Sequence, residues 1–192
     1  MIVFRRLLPP WPAFLFLSLP AVAPASDCPE WELDRAREGA LIAELQAAPD
    51  ATAARGLNGA LWTLWTQAPD AHAQALLDSG MARMRMGDMR KAIAAFTALI
   101  DYCPDFAEGY NQRAFAHYLR QDFAPALADL DAALALSPRH VGALSGRALT
   151  LMGLGRDREA LEALRAALAL NPWLSERALL PVLEQRLGAQ DL

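Results

Sequence analysis

The chain of 192 residues is long enough for one domain or one short repeat array, and its 54% hydrophobic content excludes disorder by composition. The net charge of −4 comes without a basic block, which disfavours binding to nucleic acid or to an anionic membrane. Leucine and alanine dominate, and no stretch alternates apolar and polar residues as a half-buried strand does. The expected fold class is therefore all-α.

The segment 1–25 is typical of a cleavable export signal. Arg5 and Arg6 form a basic start, an apolar stretch follows, and Ala23 and Ala25 offer the small residues that signal peptidase requires. We expect cleavage after Ala25 and export to the periplasm of a Gram-negative bacterium. The leader holds two arginines and no acid, so the net charge of the mature chain falls from −4 to −6.

Two alternatives to this signal stay open. An uncleaved membrane anchor needs about 20 apolar residues in one helix, and four prolines interrupt the stretch: Pro9, Pro10, Pro12 and Pro20. Twin-arginine export is suggested by the arginine pair. Against it, no polar residue precedes the pair and no cofactor motif follows.

The mature chain has two cysteines, Cys28 and Cys103. In an oxidising compartment a pair of distant cysteines is a candidate disulfide. The alternative is two unpaired thiols, with Cys103 buried at the end of a helix.

Two helices are expected next, from Glu30 to about Ala47 and from Ala51 to about Thr66. Pro49 lies in the short connection between them. Trp62 and Trp65 are three positions apart and therefore share a helix face. We interpret them as covering the apolar end of the array that follows, because a stack of helices exposes such an end. A peptide-binding platform is the alternative.

A regular repeat then runs through three units of equal length. Six columns recur with the same spacing: Pro104, Pro138 and Pro172; Ala92, Ala126 and Ala160; Gly80, Ala114 and Ala148; Phe96, Leu130 and Leu164; Leu76, Tyr110 and Leu144; Leu99, Ala133 and Ala167. Small residues allow two helices to cross closely, large apolar ones fill the space beside the crossing, and proline ends the second helix. The pattern predicts three stacked helix hairpins.

A helix–turn–helix unit of this length, with these positions in this order, resembles the tetratricopeptide repeat (TPR). The second unit carries the resemblance best, in Tyr110-Asn111-Gln112-Arg113-Ala114 and Phe123-Ala124-Pro125-Ala126. The first unit departs from it at Ser79, Arg83 and Leu99. The resemblance implies a right-handed α-solenoid with flanking N-terminal helices and a C-terminal capping helix. The expected division is a signal peptide, 1–25; an N-terminal capping segment, 26–70; TPR units within 71–174, namely 73–106, 107–140 and 141–174; and a capping helix with a tail, 175–192.

No residue pattern indicates a catalytic, metal or cofactor site. The histidines His72, His117 and His140 have no partner at a metal-binding spacing. The methionines between Met81 and Met89 suggest Cu(I), which prefers thioethers, but helical geometry does not make the four converge. We expect no enzyme, no cofactor, no metal and no small-molecule substrate.

The resemblance implies that a partner protein binds along the concave face formed by the first helix of each unit. The expected groove residues are Leu77, Met81, Met84, Asn111, Phe115, Tyr118, Ser145, Leu149 and Met152. The charged clamp that some relatives use on a partner's terminal carboxylate is absent at the matching positions, so chaperone tails are not expected ligands. We predict a periplasmic scaffold or assembly factor. The alternative is a self-associating or structural subunit of an envelope complex without a groove ligand.

Overall fold

The computed structural model describes residues 28–190, so the leader, its cleavage site and the end of the tail lie outside the described part. Within that part the chain is helical and without strands, and no helix is long and apolar enough to span a bilayer. The helices are α1 (Arg35–Gln46), α2 (Ala51–Thr66), α3 (Ala71–Arg85), α4 (Met89–Tyr102), α5 (Ala107–Leu119), α6 (Phe123–Leu136), α7 (Val141–Gly153), α8 (Asp157–Leu170) and α9 (Leu180–Gln190).

Helices α3 to α8 form three hairpins that stack on one another. Each helix contacts the next, and α5 also contacts α3 and α7, so the first helices of the three units lie side by side. The column residues occupy the contacts that the repeat predicts, because Gly80, Ala114 and Ala148 are buried with Phe96 and the other large apolar residues of their column. The prediction of an all-α TPR-type solenoid is confirmed.

The turn inside each hairpin has one residue in the left-handed region, at the same repeat position. These residues are Gly87 (φ 77°), Gln121 (φ 63°) and Gly155 (φ 71°). Glycine adopts this conformation without steric cost, whereas in any other residue the Cβ atom makes it unfavourable. The second unit therefore keeps the repeat geometry with a glutamine where its neighbours have glycine.

The crossing in the first hairpin pairs a glycine with a phenylalanine, where the other two units pair alanine with leucine. A Cβ added to Gly80 lies 2.6 Å from two ring carbons of Phe96, which is too close. We expect Gly80→Ala to lower the free energy of unfolding by about 1–3 kcal/mol through overpacking. Adding Phe96→Leu recreates the pair of the other units and should restore most of the loss in urea denaturation.

The control for this pair is Gly59→Ala in α2, where a new Cβ meets nothing within 4 Å. This variant should be unchanged or more stable, because alanine favours helix over glycine. If Phe96→Leu does not relieve Gly80→Ala, the small-and-large pairing does not determine how this hairpin crosses.

The N-terminal hairpin (residues 28–66, with α1 and α2) lies across the array rather than over its first end. The disulfide between Cys28 and Cys103 anchors its start beside the first unit, and Trp31 packs edge-on against Phe106. At the far end of α1, the backbone oxygen of Leu45 accepts a hydrogen bond from the indole of Trp173. The hairpin thus crosses the turns between successive units.

This placement differs from the expected cap. Trp65 is buried over the turn between the second and third units, where it stacks on His140 with ring centroids 4.3 Å apart. Trp62 reaches the concave face instead. The N-terminal hairpin has its own apolar face, and it packs that face against Val141, Leu170 and Trp173 at the starts and ends of the repeat helices. The start of α1 also differs, because residues 28–34 are not helical.

A buried carboxylate fixes the N-terminal hairpin to the array. Glu38 of α1 accepts a hydrogen bond from the Trp65 indole (3.1 Å) and forms an ion pair with Arg139 (2.8 Å). Its carboxylate is fully buried, and such a charge is tolerated only when it is paired and hydrogen-bonded. The pairing therefore favours one position of α1 on the array.

The C-terminal α-helix begins later than the expected capping segment 175–192. A single 3₁₀ turn at Ser175–Leu179 precedes α9, and Pro181 lies in the first turn of that helix, where proline needs no hydrogen-bond partner. Leu183 of α9 is fully buried against α7 and α8. Helix α9 thus covers the last unit.

Candidate concave binding groove

Two adjoining cavities lie on the concave face, and Trp62, Gln112 and Phe115 line both of them. Trp62 is 45% exposed and Phe115 is 49% exposed, although most large apolar side chains of the described chain are buried. We call the cavity towards the third unit the first cavity (about 260 Å³) and the one towards the first unit the second cavity (about 330 Å³).

The first cavity has an aromatic and aliphatic wall and a polar floor. Its lining residues are Trp62, Asn111, Gln112, Phe115, Tyr118, Leu130, Gly142, Ser145, Gly146, Leu149, Thr150 and Glu176. Glycines at 142 and 146 let α7 lie close to its neighbours, because a Cβ at Gly142 would lie 3.9 Å from the Asn111 amide nitrogen of α5 and one at Gly146 would lie 3.1 Å from Leu130 of α6.

The floor of the first cavity is held from below by Glu108, a buried carboxylate near the start of α5. It accepts hydrogen bonds from the side-chain amides of Asn111 (3.1 Å) and Gln112 (2.6 Å) and from Nε2 of His140 (2.8 Å). The Nδ1 atom of His140 accepts from the backbone N–H of Ala143, which places the ring proton on Nε2. Glu108 therefore orients both amides, and His140 couples this floor to the stacked Trp65.

Helix α5 is also fixed on its other side. Arg113 makes a bidentate pair with Asp129 of α6 and donates to the Thr97 hydroxyl of α4. The hydrogen bonds to Asp129 raise the pKa of Arg113 above its usual value. Since α5 supplies half of the polar and aromatic residues of the first cavity, these bonds hold that side of the site in position.

Five of the predicted groove residues line the first cavity and three line the second, with Phe115 in both. Asn111, Phe115, Tyr118, Ser145 and Leu149 line the first, and Phe115 also reaches the second together with Met81 and Met84.

Two predicted groove residues do not reach these cavities. Leu77 is fully buried in the core between α3 and α4, so its assignment to the groove is wrong. Met152 packs on the core of the third unit and lines neither cavity. Both errors come from taking one face of a helix as wholly concave, although its edges pack into the hairpin.

Several site residues have no counterpart among the predicted ones. They are Trp62, Arg85, Gln112, Leu119, Leu130, Gly142, Gly146, Thr150 and Glu176. Gln112 stands next to a predicted residue, and helix periodicity alone could have included it. Trp62 and Glu176 come from outside the repeats; as a binding residue Trp62 is indicated only by the alternative of a peptide-binding platform, and nothing in the sequence indicates Glu176.

The methionine segment does not form one cluster. Met81 and Met84 line the second cavity, whereas Met86 is 75% exposed and Met89 begins α4. Across residues 28–190 no three His, Cys, Asp or Glu side chains stand close enough together to hold a metal ion.

Comparison with known proteins agrees with the repeats and the fold. Models described as tetratricopeptide repeat match residues 74–105 and 141–172, which correspond to the first and third units. The first and third units are therefore tetratricopeptide repeats. It is 26% identical over 148 residues to a TPR repeat-containing protein of Rhizobium etli, covering 77% of this chain and 70% of that protein. The bacterial relative fits a bacterial origin for this TPR protein.

A mouse relative, tetratricopeptide repeat protein 36, is 33% identical over 121 residues, which are 60% of this chain and 64% of that protein. Among solved structures, the first TPR domain of Spaghetti bound to the HSP90 peptide SRMEEVD superposes with a TM-score of 0.60 at 27% identity. That match covers 62% of this chain and 96% of the domain. The TPR2B domain of yeast Sti1 in a pHsp70 complex gives 0.56 at 26% identity, covering 63% and 99%.

Proposed function

We propose that this TPR protein is an exported, periplasmic scaffold or assembly factor that holds a peptide or helix of a partner protein in its concave groove. The observation that carries the proposal is the pair of exposed aromatic side chains, Trp62 and Phe115, between two adjoining cavities. Exposed apolar surface beside a concave site marks an interaction surface.

The relatives support the same role. A domain with this fold and 27% identity binds the HSP90 peptide SRMEEVD. Export is supported by the leader sequence and by the Cys28–Cys103 disulfide, since disulfides persist in oxidising compartments.

The N-terminal hairpin gives this groove its own shape. Trp62 of α2 forms part of both cavities, so the ligand contacts the hairpin as well as the first helices of the units. The ligand we expect is therefore a short segment lying over Phe115, with one side chain in each cavity.

The test places a photo-crosslinking amino acid at position 115 in cells that make the full chain. Position 86 is the matched control, because Met86 is more exposed but lies outside both cavities. We expect a discrete partner crosslinked from 115 and none from 86. Phe115→Glu should abolish co-purification of that partner, while circular dichroism remains helical, because a carboxylate cannot be buried unpaired.

Two results would contradict the groove assignment. One is full retention of the partner by Phe115→Glu. The other is a crosslink from position 115 to a second copy of the chain only, together with a concentration-dependent oligomer in light scattering, which would favour the self-associating alternative.

A further inference from the structure

The floor of the first cavity presents hydrogen-bond acceptors. Each amide nitrogen of Asn111 and Gln112 donates one of its two N–H groups to Glu108, so each amide leaves its carbonyl oxygen and one N–H group for other partners. Both side chains are more than nine-tenths buried, and no group within residues 28–190 donates to either oxygen. A ligand that satisfies these two carbonyl oxygens must supply hydrogen-bond donors.

The electrostatics of the first cavity favour a positive charge. Glu176 stands among its lining residues, none of which is a lysine or an arginine, and Glu108 lies beneath the floor. On the two helices that flank the cavity, Arg113 of α5 pairs with Asp129 and Arg147 of α7 pairs with Asp131, while Arg85 of α3 lines the second cavity and not the first. A negative site with low-dielectric walls attracts a cation and repels a carboxylate.

The walls are suited to the same ligand. Trp62, Phe115 and Tyr118 line the cavity, and aromatic faces attract an ammonium or guanidinium group that has lost part of its water. The buried hydroxyl of Thr150 has no partner among the described residues and can accept one further hydrogen bond. Acceptors, a carboxylate and aromatic walls thus surround one space.

We propose that the first cavity binds the side chain of a lysine or arginine in the partner, held by Glu176, the two amide oxygens and the aromatic walls. This inference rests on the proposed peptide groove and specifies which residue the groove recognises. It also separates this protein from the relative that binds SRMEEVD, a peptide with three acidic residues.

The test uses blocked single amino acids, the Nα-acetyl methylamides of lysine, arginine, norleucine and glutamate. Norleucine has the four-carbon side chain of lysine without the ammonium group, so it is the matched probe for apolar binding. Each is titrated at millimolar concentration into the ¹⁵N-labelled mature chain, and the NMR shifts of the Trp62 indole N–H and the Asn111 and Gln112 side-chain amides are followed. We expect saturable shifts with lysine or arginine and weaker ones with the other two.

Glu176→Gln should weaken lysine binding about tenfold, the effect of losing one charge-assisted hydrogen bond, and leave norleucine unchanged. Glu162→Gln on the exposed face of α8 is the control and should change neither. Equal binding of norleucine and lysine would overturn the cation pocket while leaving the peptide groove in place. Stronger binding of glutamate, or no shift with any probe, would also overturn it. The crosslinking experiment at position 115 decides the groove separately.

Discussion

Replacing both cysteines by serine is expected to lower the free energy of unfolding by about 4 kcal/mol, the value that the chain-entropy model assigns to a loop of this length. The Cys28–Cys103 bond closes that loop between residues 75 positions apart. The folded hairpin should remain docked, because Glu38 still pairs with Arg139. Urea denaturation followed by circular dichroism measures the loss.

Reduced wild-type protein is the matched control for this variant. Cys103 is buried, so Cys103→Ser also places a hydroxyl in an apolar site, whereas reduction breaks only the crosslink. We expect the reduced protein to lose slightly less stability than the double variant. Equal unfolding midpoints for reduced and oxidised wild type would show that the crosslink adds nothing to stability.

The three units could be predicted from the sequence because equivalent positions in each unit make the same helix–helix contacts and therefore need side chains of the same size. Gly80, Ala114 and Ala148 must be small since a second helix crosses there, and this requirement returns once in every unit. Helix starts carry local signals as well, because Asp50 and Asp70 cap α2 and α3 with side-chain hydrogen bonds.

The position of the N-terminal hairpin could not be predicted in the same way. It depends on single contacts between residues far apart in sequence, such as Glu38 with Arg139, and one sequence contains no period that pairs them. An acidic residue on the buried face of a helix was a usable signal, because such a charge requires a partner. The sequence does not say which of its many arginines that partner is.

The sequence predicted the position of the groove and several of its lining residues, but it did not predict the polar contacts beneath them. Helix periodicity selects Asn111, Phe115 and Tyr118, and it also places Glu108 three positions before Asn111, within reach of that amide. It does not show that Glu108 is buried or that His140, at the start of α7, also donates to it. The polarity of the first cavity is therefore a tertiary property, although the residues that produce it belong to the repeats.

The second large effect is expected for Glu108→Ala, which should lower the free energy of unfolding by about 3–5 kcal/mol. The substitution leaves the buried donors of Asn111, Gln112 and His140 without an acceptor, and each unsatisfied group adds to the loss. Because His140 also stacks on Trp65, hydrogen exchange in α2 should rise more than in α8. Chemical denaturation and hydrogen exchange measure the two effects.

Glu162→Ala is the matched control, since Glu162 lies exposed on α8 and surface substitutions usually stay within about 0.5 kcal/mol. Glu108→Gln keeps the shape and one acceptor oxygen, so we expect an intermediate loss. It should also weaken lysine binding in the first cavity, because one acceptor oxygen no longer holds both floor amides in a single orientation. A Glu108→Ala variant as stable as Glu162→Ala would mean that the floor is not held by this carboxylate. In that case Glu108 would not be the group that orients the acceptor oxygens of the first cavity.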